Sequence, residues 1–456
     1  MLKRKILKIA VSGVLLTSLV ASPFAINMDR LTSYANDDSK VYEQPIDSLT
    51  FISSTDVESK IKKIKENKAE NFAKMRGKLK KNALEINAVK LSGKLNKSDK
   101  KLKESTDIAA NVDDVRGDAD LQDYLRNALK EGKRVYLYGA LNLEEYKQLL
   151  GVDEITAKHV NKDGSVAEVS FGLSKKELAE LEKEKGPMKP NAKVGEESSN
   201  IIGYSLNKNE KRQFVDVSTG SVNDKGETTE NTEDIYVASI ISEQAEVVEL
   251  EEGTAETEET AVISKNVASA ALSEKTSGYG IRSEIWNSSY TVMYGKVAMQ
   301  WELWQETADG VANYDHFTLR PVTQATAQNG ARAWYLWQDI DIPSDNDELR
   351  VWTPKGDTKT DYFKASLSFP WSVTVEMNFD DAITIDDQSD IDLDFGRWDL
   401  RNHNLSGEAF TGSIGWKSYG TWAYVTYAGK VGIYFGPNQQ YVAYTPNKRV
   451  TVSYNY

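Results

Sequence analysis

Between Ala365 and Phe379 an apolar residue stands at every second position. Ala365, Leu367, Phe369, Trp371, Val373, Val375, Met377 and Phe379 share one phase, and Ser366, Ser368, Pro370, Ser372, Thr374, Glu376 and Asn378 the other. A two-residue period sends successive side chains to opposite faces of a strand, so one face is expected to be apolar throughout. A single strand of this length would run about 50 Å, well beyond the ordinary range. Pro370 is therefore expected to mark a bulge, an edge or a change of sheet. Val450, Val452, Tyr454 and Tyr456 alternate in the same way. Turn signals at 428–430, 436–438 and 445–447 divide this part of the chain into hairpins. The pattern predicts an all-β antiparallel sandwich or barrel over residues 278–456.

A different rhythm precedes it. Helical spacing over 119–131, 143–150 and 174–185 alternates with strand-like runs at 134–138, 166–171, 200–206, 213–217 and 234–241. Ser174 followed by Glu177 makes a capping-box signature for the third helix. Alternating helix and strand predict a small α/β domain over 115–248. The stretch 249–277, rich in Thr, Ala, Ser and Glu, reads as an acidic linker. Upstream, Val57, Ile61, Ile64, Phe72, Met75 and Leu79 fall at helical spacing within a Lys-rich stretch, so 36–114 reads as a basic helical segment. It is either a solvated helix on its neighbour or a contact with an anionic surface.

The first 35 residues pair a basic start, Lys3-Arg4-Lys5, with an apolar run and the small–x–small triplet Ser33-Tyr34-Ala35. That is the pattern of a secretory signal peptide over 1–35, which implies a secreted, extracellular protein, free or cell-surface associated. Whether the segment is cleaved or stays as an anchor is left open. With no cysteine anywhere, neither disulfides nor thiolate metal sites are available. The net charge of −13 argues against nucleic acid as a partner.

Catalytic chemistry finds little footing. No Gly-x-Ser-x-Gly or His-Glu-x-x-His occurs, and the histidines are His159, His316 and His403 alone. Glu302 and Glu306 flank Trp304 but would stand about 13 Å apart along a strand, too far for a glycosidase pair. The chain is read as a non-enzyme. No cofactor is expected, save that Asp386, Asp387 and Asp390 lie in a turn able to wrap calcium, the competing reading being a solvated acidic hairpin.

Aromatic residues carry the functional expectation. All ten tryptophans and fourteen of the twenty-two tyrosines lie in 278–456, more rings than one core readily absorbs. Trp334 and Trp337, three apart, are expected on opposite faces of a strand. Trp304, Trp334, Tyr335 and Trp337 are the candidate ligand-binding residues, since ring faces stack on sugars or sit at a membrane interface. The first reading is a secreted non-catalytic protein binding a cell-surface glycan, the cell wall or membrane lipid. The second is a secreted β-pore-forming toxin that oligomerises, with Phe369, Trp371, Val373 and Val375 contacting the membrane.

Overall fold

The computed structural model describes residues 47–67, 84–160, 166–171, 175–186, 199–207, 213–223, 227–251, 272–290, 292–306, 313–368, 372–435, 440–444 and 448–454. Strand β1 (Asp47–Ser53) leads into helix α1 (Val57–Asn67), and β2 (Leu84–Lys90) lies parallel to β1. Helix α2 (Lys100–Glu104), β3 (Asp107–Asn111), α3 (Val112–Gly117), α4 (Ala119–Lys130), β4 (Arg134–Leu141) and α5 (Leu143–Leu150) follow. The strands form a parallel ladder in the order β2-β1-β3-β4. The helical reading of 36–114 is thus corrected, because three of these strands lie inside it. Leu49, Phe51, Ile52, Ile108, Ala109 and Ala110 are buried on both faces of the ladder. Strands covered on both sides show short apolar runs rather than alternation, and between lysine-rich stretches that signal is easily lost. Val57, Ile61 and Ile64 are buried on α1 as their spacing requires, whereas Phe72, Met75 and Leu79 lie outside the described residues.

Local chemistry fixes the helix ends here. Asp118 and Asn142 cap α4 and α5 by accepting from Leu121 N and Glu145 N, and Gly151 ends α5 at φ 64°. Along β4, Val135 and Leu137 pack with α4 and α5 on one face, while Tyr136 and Tyr138 turn to the other.

The hairpin β5 (Ile155–Val160) and β6 (Val166–Phe171) precedes α6 (Lys175–Lys185), β7 (Ser199–Tyr204), β8 (Phe214–Val222), β9 (Thr228–Thr229) and α7 (Glu233–Glu251). The expected strand over 234–241 is therefore a helix. Its β-branched residues Ile235, Val237, Ile240 and Ile241 are all buried, and such burial on several sides outweighs their strand propensity. This helix lies over Tyr136 and Tyr138, and its last residues run into the expected acidic linker over 249–277.

Strand β10 (Leu272–Asn287) pairs parallel with β8, so the sheet continues without a break from the α/β part into the Trp-rich part. It runs on through β11 (Met293–Glu306) and β12 (Tyr314–Ala327). The remaining strands are β13 (Arg332–Asp341), β14 (Glu348–Thr353), β15 (Thr358–Ser368), β16 (Ser372–Asp387), β17 (Phe395–Arg401), β18 (Ala409–Phe410), β19 (Ser413–Tyr419), β20 (Trp422–Tyr434), β21 (Gln440–Tyr444) and β22 (Lys448–Ser453). Among the described residues the first sheet ends β10-β11-β12-β19-β14, and a second runs β15-β16-β17-β13-β20-β21, with β22 also on β20. Mostly β among the described residues, the chain is built on two large sheets, and the β-rich part expected over 278–456 is present.

The sheets bury Met299, Trp301, Leu303 and Phe317 from the first with Leu336, Ile340, Tyr427 and Val431 from the second in one core. A polar pin crosses it. Gln338 Nε2 donates to Thr323 Oγ1 at 3.0 Å, Tyr427 Oη donates to the Val322 carbonyl at 2.8 Å, and Gly412 N donates to Gln338 Oε1 at 2.6 Å.

Two buried charges tie the α/β part to the second half of the chain. Lys185, at the end of α6, is fully buried with Nζ 2.9 Å from Asp347 Oδ1 and 2.9 Å from Ser418 Oγ. Lys448 pairs with Asp216 in the same manner. Removing one partner of such a pair strands a charge away from water. Asp347→Ala is expected to lower the unfolding free energy by about 3–5 kcal/mol in urea titrations, with Lys185→Met/Asp347→Leu recovering most of it. A loss below about 1 kcal/mol for the single variant would contradict this tie.

Glu233, in the first turn of α7, gathers Ser53 Oγ (2.9 Å), Thr55 Oγ1, Asn111 Nδ2 (3.3 Å), Tyr138 Oη (3.0 Å) and Lys60 Nζ at the carboxyl ends of β1, β3 and β4. Burial alone would raise its pKa, but the hydrogen bonds and the Lys60 charge outweigh that and hold it at about 2, against 4.5 for a free glutamate. A depressed carboxylate contributes stability that is complete above the unfolded pKa and lost as pH falls through the folded one. Stability measured from pH 6 to 2 is expected to fall less steeply in Glu233→Gln than in the parent chain, and parallel curves would refute that.

Candidate functional site

Strands β15 and β16 pair with each other along nearly their whole lengths, and β15 is the outer strand of the second sheet. Strand β16 meets β17 only over Thr384–Asp387, opposite Arg401–Trp398. The hairpin therefore continues past the end of β17 as a two-stranded ribbon. Its register sets Phe363 opposite Met377, Ala365 opposite Val375 and Leu367 opposite Val373. The intervening pairs are Lys364 with Glu376, Ser366 with Thr374 and Ser368 with Ser372. Directly opposed residues share a face, so apolar pairs alternate with polar ones down the ribbon. Of the expected membrane-contact residues, Val373 and Val375 take their places in this register, and Phe369 and Trp371 lie outside the described residues. Nearer the base, Met377, Phe379, Ile383 and Ile385 are buried in the core between the sheets, and Thr411 N lies 3.3 Å from Met377 Sδ.

The turn at the hairpin base holds the proposed calcium residues. Asp387 accepts from Trp352 Nε1 at 2.8 Å, Gly356 N at 2.7 Å and Ser389 N at 3.1 Å. Asp390 accepts from Asp392 N and Leu393 N, and Asp386 from Gln388 Nε2. These oxygens organise the turn through local N–H groups rather than converging on one point. Among the described residues no group of three such side chains is placed to hold a metal ion.

The candidate aromatics divide by burial. Trp304 is buried, its Nε1 3.2 Å from Glu302 Oε2. Trp337 is also buried, with Lys430 Nζ 3.9 Å and the Arg397 guanidinium 5.5 Å from its ring centre. Trp334 and Tyr335 are half-buried, as is Tyr434 on β20. The ladder between β13 and β20 slips by one residue between Ala333 and Tyr335, a β-bulge at Trp334. Ideal alternation is lost there. The Trp334 ring comes 5.4 Å from that of its chain neighbour Tyr335 and 5.2 Å from Tyr434, making a three-ring patch.

Cations surround the patch. Arg332 is exposed with Nη1 2.7 Å from His403 Nε2, and Arg401 is 59% exposed while reaching Asp399 at 3.3 Å. Tyr335 Oη donates to Asp399 Oδ1 at 3.0 Å. Burial, then the neighbouring Asp399 charge, pushes the Tyr335 phenol well above its usual range, so it remains a donor. Sequence reasoning reached Trp334 and Tyr335 but missed Arg332, Arg401, His403 and Tyr434. Arg332, Arg401 and Tyr434 come from three strands and His403 from the loop after β17, and a bulge leaves no mark in a period-two pattern.

His316 is buried edge-on to Tyr314, and His403 is exposed beside Arg332. Glu302 lies within 3.7 Å of Arg320 Nη1 as well as bonding Trp304.

No family model matches the chain, and no curated protein matches it. Among solved structures, one titled "Pore forming protein" is similar at 8% identity over 41% of this chain and 92% of that chain, with a TM-score of 0.25. The Clostridium perfringens NetB toxin in the membrane inserted form is similar at 6% identity over 38% of this chain and 94% of that chain, with a TM-score of 0.17. Likenesses at scores this low carry no argument about this chain.

Gly432 sits beneath the bulge, where an added Cβ would fall 2.8 Å from Trp334 Nε1 and 2.9 Å from Tyr335 Cβ. Gly432→Ala is expected to cost about 1–3 kcal/mol of stability by overpacking and to shift the Trp334 fluorescence environment. Unchanged urea midpoint and emission would show the patch to be looser than described.

Proposed function

We propose that the chain is a secreted, non-enzymatic membrane-acting protein that forms β-barrel pores, with β15–β16 as the inserting hairpin. The observation that carries the reading is the hairpin register, which sets apolar pairs against polar ones in a ribbon at an open sheet edge. Transmembrane barrels need strands of about 9–11 tilted residues with one apolar face. Residues 363–370 and 371–379 supply eight and nine, close to that length, with Phe369, Pro370 and Trp371 between the two paired strands in the sequence. No described helix is long and apolar enough to cross a membrane.

A polysaccharide platform built on Trp304 and Trp337 has less support, because stacking on a sugar requires an open ring face and both rings are buried. The polar pairs of the ribbon, Ser366 with Thr374 and Ser368 with Ser372, suit the water-filled side of a barrel.

The reading is tested by release of an encapsulated dye from liposomes. Chain 36–456 is expected to release dye with a lag that shortens as concentration rises, and to leave detergent-resistant oligomers. Val375→Asp places a charge on the lipid face, at a cost of up to about 2–4 kcal/mol near the bilayer centre, and is expected to cut release at least tenfold with the circular dichroism spectrum unchanged. Full release by Val375→Asp, or none by the parent chain on any liposome, would overturn it.

A further inference from the structure

The three-ring patch and its cations lie at a particular end of the second sheet. Moving along β16 toward the hairpin turn, β17 ends at Arg401, opposite Thr384. Arg401 in turn faces Tyr335 on β13, whose first residue is Arg332 opposite Tyr434, the last residue of β20. Arg332, Trp334, Tyr335, Arg401 and Tyr434 therefore form a rim at the end from which the ribbon projects.

This rim runs against the charge of the rest of the molecule. The whole chain carries −13, yet two exposed arginines and His403 flank the rings, and Lys430 and Arg397 lie behind them over Trp337. Arg397 and Arg401 each face one acid, Asp339 and Asp399, both of which are buried. Arg332 rests on a histidine nitrogen rather than a carboxylate. Guanidinium groups bind phosphate oxygens bidentately, and half-buried Trp and Tyr rings favour the boundary between headgroups and acyl chains. An anionic polysaccharide would satisfy the cations, but the rings stand tilted by 36° and 37° to Trp334 rather than in the flat platform on which a sugar stacks.

We propose that this rim docks the protein on bilayers containing anionic phospholipid, with Arg332 and Arg401 on headgroup phosphates and Trp334, Tyr335 and Tyr434 at the interfacial depth. The inference rests on the membrane reading above and adds to it the lipid class and the residues that select it. Docking of this kind holds the ribbon tip toward the bilayer before any insertion. Each cation near an anionic surface contributes about a fivefold gain in binding, attenuated by salt within a Debye length.

Sedimentation with vesicles tests docking apart from pore formation. The full chain is mixed with vesicles of phosphatidylcholine alone, or with phosphatidylglycerol added, at low and physiological salt. Binding is expected on the phosphatidylglycerol vesicles, weaker at higher salt. Arg332→Ala/Arg401→Ala is expected to reduce it by on the order of tenfold or more, and Arg350→Ala, on β14 away from the rim, to leave it unchanged. Trp334→Ala is expected to lower it further, with near-ultraviolet circular dichroism confirming the fold. Since both arginines are exposed, the double variant keeps the test valid even if Trp334→Ala fails to fold. Equal binding to both vesicle types, binding insensitive to the double arginine variant, or no binding overturns the proposal. Dye release that proceeds without rim dependence overturns docking and leaves the pore reading standing; sedimentation without release does the reverse.

Discussion

A strand that pairs on one side only sets the terms for everything proposed here. Strand β15 donates and accepts its ladder bonds with β16, and no described strand lies on its other side. In water such an edge is tolerated, and Lys359, Asp361 and Lys364, exposed along it, discourage chance pairing. In hydrocarbon it is not, because each unsatisfied backbone group costs several kcal/mol. A single inserted ribbon would leave edges exposed, so insertion requires closure with ribbons from other copies. Pore formation by this hairpin and oligomerisation are one requirement.

The rest of the molecule holds that ribbon at a defined place. Its base is fixed by Asp387 and by the core around Met377, Phe379, Ile383 and Ile385. The second sheet is pinned to the first through Gln338, Thr323 and Tyr427, and the first is continuous with the α/β ladder through β8 and β10. Buried Lys185–Asp347 and Lys448–Asp216 pairs tie the α/β part to the Trp-rich part. Such pairs add little net stability over an apolar contact but are costly to leave half-made, which favours one arrangement over loose alternatives.

Much of this was legible in the sequence where one periodicity had one cause. The alternation from Ala365 to Phe379 marked one amphipathic strand with Pro370 at a bulge, an edge or a change of sheet, whereas its two halves pair with each other as β15 and β16. Helices α4, α5 and α6 followed from their helical spacing, and Ser174, the expected cap of α6, lies outside the described residues. The parallel strands β1, β2 and β3 were hidden because both their faces are covered, which removes the alternation that betrays a strand. Helix α7 reads as a strand in sequence because its β-branched residues are buried on several sides. The rim was half visible: Trp334 and Tyr335 stood out by type, whereas the bulge that joins their rings to Tyr434 and the arginines beside them depend on pairing across three strands.

The absence of cysteine permits a direct measurement of whether the ribbon enters lipid. Single cysteines placed in turn at 364–367 and 373–376, each carrying an environment-sensitive fluorophore, report the medium at every position when anionic liposomes are added. The account predicts a blue shift at Ala365, Leu367, Val373 and Val375 and an aqueous signal at Lys364, Ser366, Thr374 and Glu376. A uniform response at all eight positions, or none, would contradict insertion of β15–β16 as an amphipathic hairpin.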